Sequence, residues 1–74
     1  MKKTETETKT KVTDRERTVL QFLSQGATSH DIAEALTISE RTVKFHIANI
    51  IRKLDTRNRT EAVAVAMIRG LLDR

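Results

Sequence analysis

Residues 28–54, TSHDIAEALTISERTVKFHIANIIRKL, decide the fold. Thr28 has the hydroxyl of an N-cap, and Asp31 puts an anion in the first turn, where the helix macrodipole favours one. Ile32, Ala33 and Leu36 then form an apolar stripe, so a short helix is expected here. Thr37-Ile38 is the turn that follows, with Ile38 buried beneath it. Ser39 caps a longer helix over residues 40–54. At about 100° per residue, Val43, Ile47, Ile50 and Leu54 share one face of it, with Ile51 on the edge. Arg41, Lys44, Phe45, Ala48 and Arg52 share the opposite face. Phe45 is one of only two aromatic residues in the chain, and this spacing directs it away from the core.

Outward from this pair, the N-terminal side starts another helix. Thr13-Asp14-Arg15-Glu16 has the S/T-x-x-E form of a capping box, in which hydroxyl and carboxylate each satisfy an orphan backbone N–H. Val19, Leu20, Phe22 and Leu23 follow at helical spacing, with Val12 as a staple, and Gly26 stands where a left-handed residue ends a helix. Before it, residues 1–11, MKKTETETKTK, hold nothing apolar beyond the initiating Met and are expected to be a disordered tail. On the C-terminal side, Asn58-x-x-Glu61 repeats the capping pattern and opens a helix ending near Gly70. Its AVAVAMIRG run is apolar nearly all round, which predicts burial on more than one side. Ala62, Val63, Ala66 and Met67 are assigned to the core. Ala64, Val65 and Ile68 cluster on another side, as a dimer contact. The expected fold is all-α, a four-helix domain over residues 12–74.

Composition narrows the function. Seventy-four residues make one small domain, and the absence of Cys excludes disulfides and thiolate metal sites. No apolar run is long enough to span a membrane and no signal peptide is present, so a cytoplasmic protein is expected. The two histidines, His30 and His46, lie far apart in sequence with no Cys beside them, so no metal site is expected; His46 flanks the core face as a half-buried structural residue. No Ser/His/Asp constellation or Gly-rich phosphate loop occurs, so neither an enzyme nor a small-molecule or cofactor site is expected. Charge is concentrated: Arg41, Lys44, Arg52, Lys53, Arg57 and Arg59 face only Asp55 within residues 41–59. That local excess of five exceeds the +4 of the whole chain. Such a segment is an electrostatic footprint for a polyanion.

A short helix, a tight turn and a longer helix with a basic outer face make a helix-turn-helix. The N-terminal N–H groups of the first helix, at Thr28, Ser29 and His30, suit a phosphate. The chain resembles the LuxR/GerE-type helix-turn-helix regulators, and its size is that of the free-standing GerE-like members. The resemblance rests on TDRERTVLQFL at 13–23, GATSHDIA at 26–33, LTISERTVKFH at 36–46, KL at 53–54 and NRTEAV at 58–63. It implies double-stranded DNA as partner, base contacts from Lys44, Phe45 and Ala48, phosphate contacts near Thr28, Ser29, His30, Arg41 and Thr42, and dimerisation through the last helix. Arg52, on the same outward face, joins the expected phosphate contacts.

Two residues depart from the family pattern. Asp55 stands where Gly usually follows Lys-Leu, and Ala48 stands where a polar or basic side chain is common. A methyl can touch a thymine methyl but cannot hydrogen-bond a base. Larger relatives carry a sensing domain ahead of this one; the short tail here predicts control by abundance or by heteromeric contact. RNA polymerase is a further candidate partner. The alternative reading is a small helical interaction module that binds another regulator or RNA polymerase without touching DNA, and a promoter-reading fragment like that of a sigma factor is a third.

Overall fold

The computed structural model describes residues 11–72. The expected tail therefore lies outside the described residues except for Lys11. Four helices follow one another: α1 (Asp14–Ser24), α2 (Ser29–Leu36), α3 (Glu40–Lys53) and α4 (Arg59–Ile68). Among the described residues there is no strand.

Each helix starts on a side chain that takes an orphan N–H. In α1 the Thr13 hydroxyl accepts from Glu16 N–H at 3.1 Å, and Glu16 Oε1 accepts from Thr13 N–H at 2.9 Å. Thr28 and Asp31 form the same reciprocal box at 3.1 and 3.0 Å, so Asp31 serves as a hydrogen-bond acceptor as well as a charge in the first turn. Ser39 Oγ accepts from Thr42 N–H at 3.0 Å. Asn58 Oδ1 caps Glu61 N–H at 2.8 Å, but Glu61 reaches past Asn58 to accept from Arg57 N–H, also at 2.8 Å.

The helices also stop alike. Gly26, Thr37, Asp55 and Gly70 each have positive φ, at 88°, 58°, 58° and 74°. Each is followed by a residue whose N–H bonds five residues back: Ala27 to Phe22, Ile38 to Ala33, Thr56 to Ile51 and Leu71 to Ala66. This is the Schellman closure. Two of the four left-handed positions are thus filled without glycine. Asp tolerates that conformation better than most residues, whereas Thr37 is β-branched and strained there.

The core joins Val19 and Leu20 of α1, Ile32 and Ala33 of α2, Val43, Ile47 and Ile50 of α3 and Ala62 and Ala66 of α4, with Val12, Leu54 and Leu72 closing it. Phe22, Leu23, Leu36, Ile38, Ile51 and Val63 pack half-buried around it. One expectation for α4 fails: Met67, assigned to the core, is 52% exposed. At about 100° per residue, Met67 lies about 120° from the line between Ala62 and Ala66. Alanines on the inner stripe bring α4 close, so only Val63 and Val65 reach the core as flanks.

Candidate nucleic-acid interface

The inner face of α3 is fixed by Val43, Ile47 and Ile50, all buried. That leaves Arg41, Lys44, Phe45, Ala48 and Arg52 exposed together on its outer face, as the spacing implied. Phe45 is 63% exposed, and its one ring neighbour among the described residues is the half-buried His46, centroids 6.2 Å apart. Arg52 Nη2 donates to Asn49 Oδ1 at 2.8 Å, which ties the guanidinium to the helix.

The heads of α2 and α3 are polar. Thr28 and His30 are exposed, while Ser29 is buried at 9% exposure. The Ser39 hydroxyl donates to Thr42 Oγ1 at 2.9 Å, so Thr42 keeps its own O–H proton for another acceptor. His30 bridges the two helices: its Nδ1 lies 2.9 Å from Glu40 Oε2, and its Nε2 lies 3.4 Å from Glu34 Oε2. The hydrogen bond with Glu40, then the charges of Glu34 and Glu40, hold the imidazole above its ordinary pKa.

The basic segment is less open than its composition suggested. Lys53 turns inward, with Nζ 2.9 and 3.1 Å from the two Glu16 carboxylate oxygens and 3.2 Å from the Lys11 carbonyl oxygen. The two side chains are only 16% and 5% exposed. Burial pushes the Glu16 carboxyl up, but the Thr13 N–H and the Lys53 ammonium outweigh it and leave its pKa lowered. Sequence reasoning gave Glu16 a cap alone and counted Lys53 with the outer charge. The signal was the i, i+3, i+4 spacing of Glu16 with Val19 and Leu20, which puts the carboxylate on the core face. Arg57 pairs with Glu61 at 3.1 Å. Among the described residues, Arg41, Lys44, Arg52 and Arg59 have no acidic partner within 4.0 Å.

On α4, Ala64 and Ile68 are exposed, Ile68 by 84%, and Met67 lies beside them. Val65, grouped with them by spacing, is half-buried and packs against its own core. Among the described residues no group of acidic, His or Cys side chains could hold a metal ion, and no helix is long and apolar enough to cross a membrane.

A helix held by its inner face, with a basic outer face and a short helix packed across its head, is the helix-turn-helix arrangement of DNA-binding regulators. The chain belongs to the luxR family of bacterial regulatory proteins, whose model matches residues 10–66. Regulators of this family are DNA-binding helix-turn-helix proteins. The spore germination protein GerE of Bacillus subtilis is 41% identical over 73 residues, 99% of each chain. The quorum sensing-dependent transcriptional regulator RpaR of Rhodopseudomonas palustris is 50% identical over 62 residues, 84% of this chain. The chain spans about a quarter (26%) of the length of RpaR and of the SolR activators of Ralstonia. The solved structure of the transcription factor GerE superposes with a TM-score of 0.79 at 39% identity, covering 82% of this chain and 91% of that one. The response regulator ChrA of a heme-sensing two-component system superposes at 0.80 with 41% identity, covering 82% and 30%.

Proposed function

We propose that this chain is a sequence-specific regulator of transcription that binds double-stranded DNA and reads the major groove with α3. The observation that carries this is the outer face of α3: a largely exposed Phe45 between Lys44 and Ala48, flanked by Arg41 and Arg52. A folded domain this small leaves such an aromatic ring in water at a cost unless a partner covers it. The basic flanks give that partner negative charge. Lys44 contacts a base edge, and Phe45 and Ala48 contact thymine methyls. Thr28, Ser29, Arg41, Thr42 and Arg52 contact phosphates, Ser29 through its backbone N–H. His30 stands beside them with its ring engaged by Glu40 and Glu34. The exposed strip of Ala64 and Ile68, with Val65 at its base, pairs two copies across a twofold axis, an isologous contact. The protein then acts as a cytoplasmic homodimer on a pseudo-palindromic site, with no cofactor, and RNA polymerase as a second partner.

The test is Lys44→Ala. A bidentate base contact is worth about 1–3 kcal/mol, so affinity for a selected site falls about five- to 150-fold while affinity for random duplex changes little. Equal loss on both DNAs would make Lys44 a phosphate contact. A second reading, an interaction module that never touches DNA, draws on the 84% exposure of Ile68. It requires that no duplex bind at low salt, where counterion release makes any such binding strongest.

A further inference from the structure

Glu40 is a carboxylate at the wrong place for a DNA-binding helix. It is the first residue of α3, and a recognition helix presents its N-terminal residues to the groove. The macrodipole favours an acid at that end, but phosphates on either side of the groove repel it. The structure answers the carboxylate with a side chain from the other helix. His30, in the first turn of α2, meets Glu40 Oε2 through Nδ1 at 2.9 Å.

We infer that His30 is a positioning residue for DNA binding: it holds and neutralises Glu40 at the head of α3 and does not itself contact a phosphate. The inference rests on the DNA-binding reading above. Nδ1 is hydrogen-bonded to Glu40 at 2.9 Å, and Nε2 faces the Glu34 carboxylate at 3.4 Å. A phosphate oxygen approaching the ring therefore meets the negative charge of two carboxylates. The acidic groups acting on it are Glu40 from α3 and Glu34 and Asp31 from α2. Asp31 already accepts from Thr28 N–H at 3.0 Å. One proton on His30 removes one unit of negative charge from this cluster, at the place where the backbone of the duplex approaches. The cluster raises the pKa of His30 above 6.5. DNA affinity is therefore greatest below that raised midpoint and falls as pH rises through it.

The experiment is a double-mutant cycle of His30→Ala and Glu40→Gln in the full chain. Binding to a fluorescent random-sequence duplex is measured at pH 6 and pH 8, and the His30 ring is titrated by NMR in the free protein. All the side chains involved are exposed, so melting temperatures serve as the folding control. A unit charge about 8 Å from a phosphate in a mostly aqueous setting changes binding about two- to fivefold. His30→Ala is expected to weaken binding by that factor at pH 6 and to have little effect at pH 8. In the Glu40→Gln background the His30 midpoint moves to lower pH, and the pH at which His30→Ala ceases to matter moves down with it. A loss from His30→Ala that persists undiminished at pH 8 makes His30 a direct phosphate contact and overturns the inference. A His30 midpoint indifferent to Glu40→Gln overturns it alone, with DNA binding intact. Wild-type protein that binds no duplex overturns the DNA-binding reading and this inference together.

Discussion

Replacing Lys53 by Met keeps the aliphatic stem and removes the ammonium from a site where both partners are buried. Glu16 then keeps only Thr13, through its N–H and side chain, among its charge-stabilising contacts. Breaking a buried ion pair from one side costs about 3–5 kcal/mol, because the surviving charge stays desolvated. The low end applies here, since Lys53 still touches water at 16% exposure. A chain of this size has about 4–11 kcal/mol of stability, so a loss of about 3 kcal/mol is a large share of it. At about 4–8 °C per kcal/mol, Tm falls by about 12–24 °C at pH 7. The pH dependence identifies the cause. The folded-state pKa of Glu16 is lowered from 4.5, so its stabilisation is complete above the unfolded-state pKa and is lost as pH falls through the folded one. In Lys53→Met, burial acts on Glu16 without the ammonium to oppose it, so that stabilisation is absent already. The gap between wild type and variant is therefore wide at pH 7 and narrows as pH falls below 4.5 toward the lowered folded-state value. Circular dichroism melts at pH 7 and pH 3.5 measure both. A fall in Tm under about 4 °C at pH 7, or a gap that stays as wide at pH 3.5, refutes the reasoning. Joint replacement of Glu16 and Lys53 by Met recovers most of the loss, as apolar exchange of buried pairs commonly does.

Thr37→Asn relieves a β-branched residue at φ 58°. It is expected to stabilise the domain by about 0.5–1 kcal/mol, read as a Tm increase; an unchanged or lower Tm means that the turn is not strained. Replacing thymine by uracil in a selected site removes only the methyl, and it is expected to weaken binding at the positions facing Phe45 and Ala48. Wild-type affinity at every such position dismisses the methyl contacts. Ile68→Glu places a charge on a side chain already 84% exposed, so Tm holds while cooperative binding to a two-half-site duplex is lost. Retained cooperativity removes α4 from the dimer contact. Val65, packed on its own core, is a poorer probe, because a charge there damages the fold as well.

The four helices were legible because their ends are local. Thr13 with Glu16, Thr28 with Asp31, Ser39 with Thr42 and Asn58 with Glu61 each act across three residues, and capping is a property of short sequence. The outer face of α3 was legible for the same reason: four apolar residues fix the inner side, and the rest follows from helical period. What could not be read depends on distance along the chain. Lys53 and Glu16 are 37 residues apart; helical period puts Lys53 on the flank of the core face of α3, but nothing local names the carboxylate it meets there. His30 and Glu40 meet across ten residues and a turn, so the pairing of this ring with a carboxylate of the next helix had no local signal. Met67 was misplaced because an apolar residue on an apolar helix carries no orientation of its own. The two alanines facing inward settle the rotation of α4, and that is visible only once the neighbouring helices are present.

The repeated Schellman closure bears on how fast this chain folds. Each helix begins and ends on hydrogen bonds that span five residues or fewer, so its boundaries can form before any distant segment arrives. Proteins dominated by such near-neighbour contacts have low contact order, little loop entropy to lose before contacts reward it, and folding times of microseconds to milliseconds. The sequence has no Pro and no Cys, so prolyl isomerisation and disulfide exchange, the usual slow phases, do not arise. What remains for the search is docking of helices whose ends are already set.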